Sequence, residues 1–134
     1  IYATQYPGNV ICSPDKDMKQ IPGTLFDMKE TMSVTKEEGK RWHYIQTLAG
    51  DQTDGYAGVP GIGIKRAESL FEDNGYTWKT VVDAFKNKDL SEEVALENAR
   101  LAKILQCEDY DFDKKEPRLY TPNASDWTNN GTVI

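Results

Sequence analysis

A chain of 134 residues fits one domain of ordinary size or a fragment of one, and its 38% hydrophobic and 28% charged residues are the balance of a soluble globular protein. No stretch approaches the ~18 apolar residues of a helical membrane span, which sets aside a membrane role. The net charge of −6, from 16 Lys and Arg against 22 Asp and Glu, argues against nucleic-acid binding by bulk electrostatics and leaves local contact through placed amides and cations.

The chain opens on Ile1 rather than Met, and IYATQYPGN has neither the basic nor the apolar region of a signal peptide, so it reads as cut from something longer. Cys12 and Cys107, without CxxC spacing, read as the reduced thiols of a cytoplasmic protein. Asn9 to Ser13 is short, apolar and stopped by Pro14, the pattern of a buried strand. Asp15 and Asp17 follow in a loop past its C-terminal end, where open α/β sheets collect ligands. Pro22-Gly23 marks a turn, and Thr24 to Met28 with Thr31 to Val34 reads as a hairpin at the sheet edge. Thr35 and Glu38 have capping-box form and open a helix through about Ala49, with Trp42, Ile45 and Leu48 on one face. Gly50 to Gly63 holds five glycines and one proline in fourteen positions and is expected to be a structured loop. Helices follow at Ile64 to Phe71, closed near Asn74-Gly75, at Thr77 to Phe85, and at Ser91 to Gln106. Glu108 to Tyr120 is charged and aromatic, and Asn123 to Ile134 is a polar run expected to be extended or loosely ordered.

Two acidic pairs stand out, Asp15 with Asp17 and Asp51 with Asp54. Carboxylates packed together repel unless a proton or cation compensates them, and Mg²⁺ takes oxygen ligands shared between one or two carboxylates and a substrate phosphate. Two such ions about 3.5 to 4 Å apart serve phosphodiester cleavage. Each pair alone has a simpler reading: Asp15 or Asp17 caps a helix, and Asp51 and Asp54 make Asx turns. The second feature is Gly58-Val59-Pro60-Gly61-Ile62-Gly63-Ile64-Lys65-Arg66-Ala67. A Gly-x-Gly turn opening a helix offers backbone N–H groups to a phosphate, with the helix dipole favouring the anion and Lys65 and Arg66 adding cations. An ordinary tight turn is the simpler alternative. Ile62 between the glycines favours the binding reading, as an apolar anchor in a core while the amides face outward. That is the helix-hairpin-helix pattern of sequence-independent DNA binding.

Taken in order, Ser13-Pro14-Asp15-Lys16-Asp17-Met18, Gly50-Asp51-Gln52-Thr53-Asp54-Gly55 and Gly58 to Ala67 resemble the 5′-nuclease domain of bacterial DNA polymerase I. They are more similar still to the 5′-to-3′ exonucleases of short-tailed phages, within the 5′-nuclease and flap endonuclease family. The likeness extends to Ile45-Gln46-Thr47-Leu48 and to Ala99-Arg100-Leu101-Ala102-Lys103-Ile104-Leu105, and so covers nearly the whole chain. It departs at Gly55, where polymerase relatives have Asn, and at Pro14, where they often have Gly.

The resemblance implies an α/β fold in which residues 1–50 form the C-terminal part of a PIN-like nuclease sheet. Residues 51–122 would form the helical helix-hairpin-helix (H3TH) region and 123–134 a polar tail. It implies a metal-dependent enzyme that hydrolyses DNA phosphodiesters at 5′ ends, flaps or nicks during phage DNA replication, in the host cytoplasm. Asp15, Asp17, Asp51 and Asp54 fall on catalytic acids that hold two Mg²⁺, or Mn²⁺. Gly58, Gly61, Ile62, Gly63, Lys65 and Arg66 fall on the hairpin that grips the DNA backbone, where relatives also bind K⁺ through main-chain oxygens. Further acids and an arch that the family carries upstream of the strand at Val10 are not in these residues. The missing N-terminal segment is therefore an expected partner, and the chain alone is expected to cleave little or nothing. Two other readings stay open: a DNA-binding module whose acids are structural, and an RNA-directed PIN nuclease, against which the duplex-DNA hairpin speaks.

Overall fold

The computed structural model describes residue 8 and residues 10–14, 16–104 and 109–122, so that Asp15, Cys107 and the polar run from Asn123 lie outside the described residues. The described residues form a mixed α/β arrangement with four α-helices and two small sheets. Its residues divide into two compact units: those up to Trp42 together with Lys103–Leu119, and His43–Ala102 together with the stretch from Tyr120. Among the described residues no helix is long and apolar enough to cross a membrane.

In the first unit β1 (Val10–Cys12) pairs in parallel with β2 (Gly23–Phe26), and β2 pairs antiparallel with β3 (Thr31–Val34), with Leu25 buried on the central strand. The sequence pattern places the end of the second strand at Met28, but the ladder stops at Phe26. Asp27 accepts hydrogen bonds at Oδ1 from the N–H groups of Lys29 (2.9 Å) and Glu30 (2.8 Å), and Met28 takes a φ of 75°, which turns the chain early. Those bonds, the Glu30 N–H first and the Lys29 N–H second, favour the ionised carboxyl and hold its pKa below the ordinary value.

Between β1 and β2 runs a 3₁₀ helix, Lys16–Gln20, in place of the open loop that the sequence suggests. It is pinned at its end by Gln20, which is buried and accepts the Ile104 N–H at 2.9 Å. The first long helix, α1 (Lys36–Ala49), begins at a formed capping box. The Glu38 N–H donates to Thr35 Oγ1 at 3.1 Å, and the Thr35 N–H reaches Glu38 Oε1 at 3.4 Å. Within its first turns Gly39 lies against the main chain of Gln20, where an added Cβ would overlap the Gln20 carbonyl. Gly39→Ala is therefore expected to lower stability. Ala gains about 1 kcal/mol of helix propensity, but overpacking against backbone costs about 1–3 kcal/mol. A urea or thermal melt at or above the wild-type midpoint would show that the close approach is relieved cheaply.

The charged aromatic stretch contains an unanticipated ladder, β4 (Tyr110–Asp111) with β5 (Glu116–Pro117). Its turn is closed by Asp111 Oδ1, which accepts the N–H groups of Asp113 (3.0 Å) and Lys114 (3.1 Å), and by Lys115 at a φ of 56°. Lys103 and Asp109 form an ion pair at 3.4 Å in the same unit.

The second unit is helical. The C-terminal part of α1 is joined by α2 (Ile64–Asn74), α3 (Trp78–Lys86) and α4 (Glu92–Ala102). The break between α2 and α3 has local causes: Gly75 ends α2 at a φ of 95°, and Thr77 opens α3 as its N-cap by accepting the Thr80 N–H at 3.3 Å. Expected to run to Gln106, α4 stops at Ala102. Its apolar spacing holds over the part that forms, with Ala95, Ala99 and Ala102 buried. The core gathers Tyr44, Leu48, Phe71, Trp78, Val81 and Phe85, all nearly inaccessible to solvent. Two buried polar side chains of this core are paired: His43 Nε2 lies 2.8 Å from the Ala99 carbonyl, and the Thr47 hydroxyl donates to the His43 carbonyl at 2.8 Å. Tyr120 closes this core, edge-on to His43 with its hydroxyl 3.3 Å from that of Tyr44, while Arg100 Nε donates to its carbonyl at 3.0 Å.

Candidate metal and nucleic-acid site

The loop after α1 is built on two glycines that the fold demands. Gly50 and Gly58 both have positive φ (72° and 65°), and a Cβ on either would run into main chain: that of Ala57 at Gly50, and that of Leu48 and Gly50 at Gly58. The two strands of the loop are then stitched together. Asp51 and Tyr56 exchange backbone hydrogen bonds at 2.8 and 3.1 Å, the Val59 N–H donates to the Leu48 carbonyl at 2.8 Å, and the Gly58 N–H donates to Asn98 Oδ1 at 2.9 Å. Asn98, buried on α4, also donates from Nδ2 to the Val94 carbonyl at 2.9 Å. It fixes the acidic loop from forty residues away, and only an Asn inside an otherwise apolar helical face hints at it in the sequence.

On this frame Asp51 and Asp54 come together. Asp51 Oδ1 accepts the Thr53 N–H at 2.9 Å and the Asp54 N–H at 3.4 Å, so the Asx turn read from the sequence is present. Asp51 is half-buried and Asp54 exposed. The same turn is made by Asp27 and Asp111, so the hydrogen-bond pattern alone does not mark a metal ligand. Of the other pair, Asp17 is half-buried in the first turn of the 3₁₀ helix of the first unit, and Asp15 lies outside the described residues. Carboxylate oxygens are the hard donors that suit Mg²⁺ or Mn²⁺, and neither Cys nor His belongs to these turns.

The hairpin follows directly. Val59 is its buried anchor at 2% exposure, whereas Ile62, given that role by the sequence reading, is only half-buried. The chain turns between them, with the Ile62 N–H donating to the Val59 carbonyl at 3.1 Å and Gly61 at a φ of 80°. Gly63 is the N-cap of α2, and the Ala67 N–H bonds its carbonyl at 2.9 Å. Among the described residues no side chain caps the helix, and no acid stands in its first turn. Helix geometry leaves the N–H groups of Ile64, Lys65 and Arg66 without a carbonyl of their own helix, and Lys65 and Arg66 are exposed. Gly63 itself has an ordinary extended conformation (φ −96°, ψ −175°), and a Cβ there would meet nothing within 4 Å.

No protein-family profile matches the chain, and no solved structure matches it. Two curated phage proteins do. The chain is 32% identical over 148 residues to the exodeoxyribonuclease of Enterobacteria phage T3, a match covering 86% of this chain and 49% of the phage protein. It is 27% identical over 146 residues to the exonuclease of Escherichia phage T7, covering 84% of this chain and 49% of that protein. The chain thus spans about half the length of the curated relatives it matches.

Proposed function

We infer that this chain, which is similar to two phage exonucleases, is the part of a metal-dependent 5′ DNA nuclease that carries its backbone-gripping hairpin and a share of its acids. The reaction is hydrolysis of DNA phosphodiesters at 5′ ends, flaps or nicks, serving phage DNA replication in the host cytoplasm. The observation that carries the reading is Gly63. Gly50 and Gly58 are required by close packing, and Gly55 and Gly61 by positive φ, whereas nothing in the fold requires Gly63. Open space over unbonded helix amides is what a phosphate needs.

In this reading the hairpin from Gly58 to Arg66 is the H3TH device and the sheet of the first unit belongs to a PIN-like core. Ile64, Lys65 and Arg66 hold a backbone phosphate through their N–H groups, and the two cations strengthen the hold without reading bases. The main-chain oxygens of the same turn would take K⁺. Asp15, Asp17, Asp51 and Asp54 would hold Mg²⁺ or Mn²⁺, which when bound lowers the pKa of a water and offsets charge on the scissile phosphate. Asp51 arrives preorganised, because its two turn hydrogen bonds fix the carboxylate before any ligand enters.

A shared metal site makes a prediction that needs no activity. On adding substoichiometric Mn²⁺ to the ¹⁵N-labelled protein, the amides near Asp17 and those from Asp51 to Gly55 should broaden together, at the same ion concentration. Broadening at one group while the other stays sharp would refute a common site.

A further inference from the structure

A groove of about 570 Å³ opens beside the hairpin, within the second unit. It is lined by Gly61, Ile62 and Arg66 on one side, and by Lys79 and Lys86 of α3 with Lys88 just beyond it on the other. Four cations meet one acid there, Asp83, in a chain where acids outnumber bases by 22 to 16. Among the described residues none of the four cations forms an ion pair.

The simplest account of Lys79 and Lys86 is the solvated face of an amphipathic helix, since Trp78, Val81, Val82 and Phe85 fill the buried face of α3. That account suits Lys86, whose charge is favourable in a last helical turn. It does not suit Lys79, in the first turn of α3, or Arg66, in the first turn of α2, because a cation at a helix N-terminus opposes the macrodipole. Both positions are neutral or unfavourable for the fold and become favourable when an anion occupies the groove. Lys79 and Lys86 are separated by seven residues of helix, about 10 Å at 1.5 Å per residue. One DNA strand advances about 3.4 Å per phosphate along the helix axis, so that span matches roughly three phosphates.

We propose that this groove is a second DNA-backbone site, continuous with the hairpin, in which Lys79, Lys86 and Lys88 contact phosphates and hold the duplex beyond the point gripped by α2. The proposal rests on the hairpin reading for where the DNA enters, and its test separates the two. Binding of a 5′-tailed duplex is measured by anisotropy without divalent cation, from 50 to 200 mM KCl. The proteins are the wild type, Lys79→Gln/Lys86→Gln/Lys88→Gln, Gly63→Asn, and a control triple, Lys29→Gln/Lys36→Gln/Lys115→Gln, at exposed sites outside the groove. All three groove lysines are exposed, so the fold is not at stake.

The groove triple should lose affinity at least about 10-fold at 50 mM, and its slope of log K against log salt should become shallower by about 0.9 for each phosphate contact removed. The control triple should change both by less. Unchanged affinity and slope in the groove triple, or an equal loss in the control triple, overturns the groove while leaving the hairpin standing if Gly63→Asn binds poorly. A groove triple that loses its slope beside a Gly63→Asn protein that binds normally upholds the groove and removes the hairpin. Absence of binding by the wild type overturns both.

Discussion

On the inferred function, Asp51→Asn in the whole protein is expected to reduce cleavage in the presence of Mg²⁺ by about 10²-fold or more while leaving the melting temperature close to that of the wild type. The choice of Asn decides what is measured. Asp51 has two tasks in the inferred site: its Oδ1 closes a turn by accepting the Thr53 and Asp54 N–H groups, and its charge would hold a cation. Asn keeps an oxygen acceptor at Oδ1 and loses the charge, so the turn survives and the ligand does not. Replacement by Ala would remove both and confuse misfolding with lost chemistry. The chain supplies its own controls, because Asp27 and Asp111 close turns of the same form. Asp27→Asn and Asp111→Asn should leave cleavage of a 5′-labelled tailed duplex unchanged. Activity of Asp51→Asn within about twofold of the wild type would mean that Asp51 is a turn residue and that the carboxylates serving the metal lie elsewhere.

Those three aspartates also show how far the sequence could be read. All make one local structure, so the hydrogen-bonded turn by itself does not distinguish Asp51 from the other two. What singles it out is its pairing with Asp54 and its place between a strand-end acidic pair and a Gly-x-Gly hairpin. Helices were legible because their signals are local: the capping box at Thr35 and Glu38, the cap at Thr77, the stop at Gly75. Long-range partners were not. Gln20 meets Ile104 across 84 positions and Asn98 meets Gly58 across 40, and neither spacing leaves a period to detect. The β4–β5 ladder escaped for a different reason, since two-residue strands carry no alternation and its charged residues look like a solvated tail. At the hairpin, apolarity alone could not choose between Val59 and Ile62. The anchor is Val59, buried and with its N–H bonded to the Leu48 carbonyl near the end of α1, while half-buried Ile62 lines the groove.

Gly63→Asn is expected to move stability and DNA binding in opposite directions. The residue occupies the N-cap of α2 in an extended conformation that Asn adopts readily, with nothing within 4 Å of where its Cβ would stand. Asn is a favoured N-cap whose side-chain oxygen accepts the N–H of the second or third helical residue, here Lys65 or Arg66, so the fold should gain a few tenths of a kcal/mol over Gly. The same hydrogen bond engages an amide that the inferred site offers to phosphate, and the side chain fills the space the phosphate would enter. Affinity for tailed duplex should therefore fall about 10-fold or more, equally for every base sequence, because backbone contacts carry no sequence information. Gly61→Asn is the informative neighbour: at a φ of 80° it tests tolerance of the turn itself, and Asn bears that conformation better than other non-glycine residues. A Gly63→Asn protein that melts no lower than the wild type and binds DNA as tightly would show that α2 does not meet the phosphate. The open space above its first turn would then need another explanation.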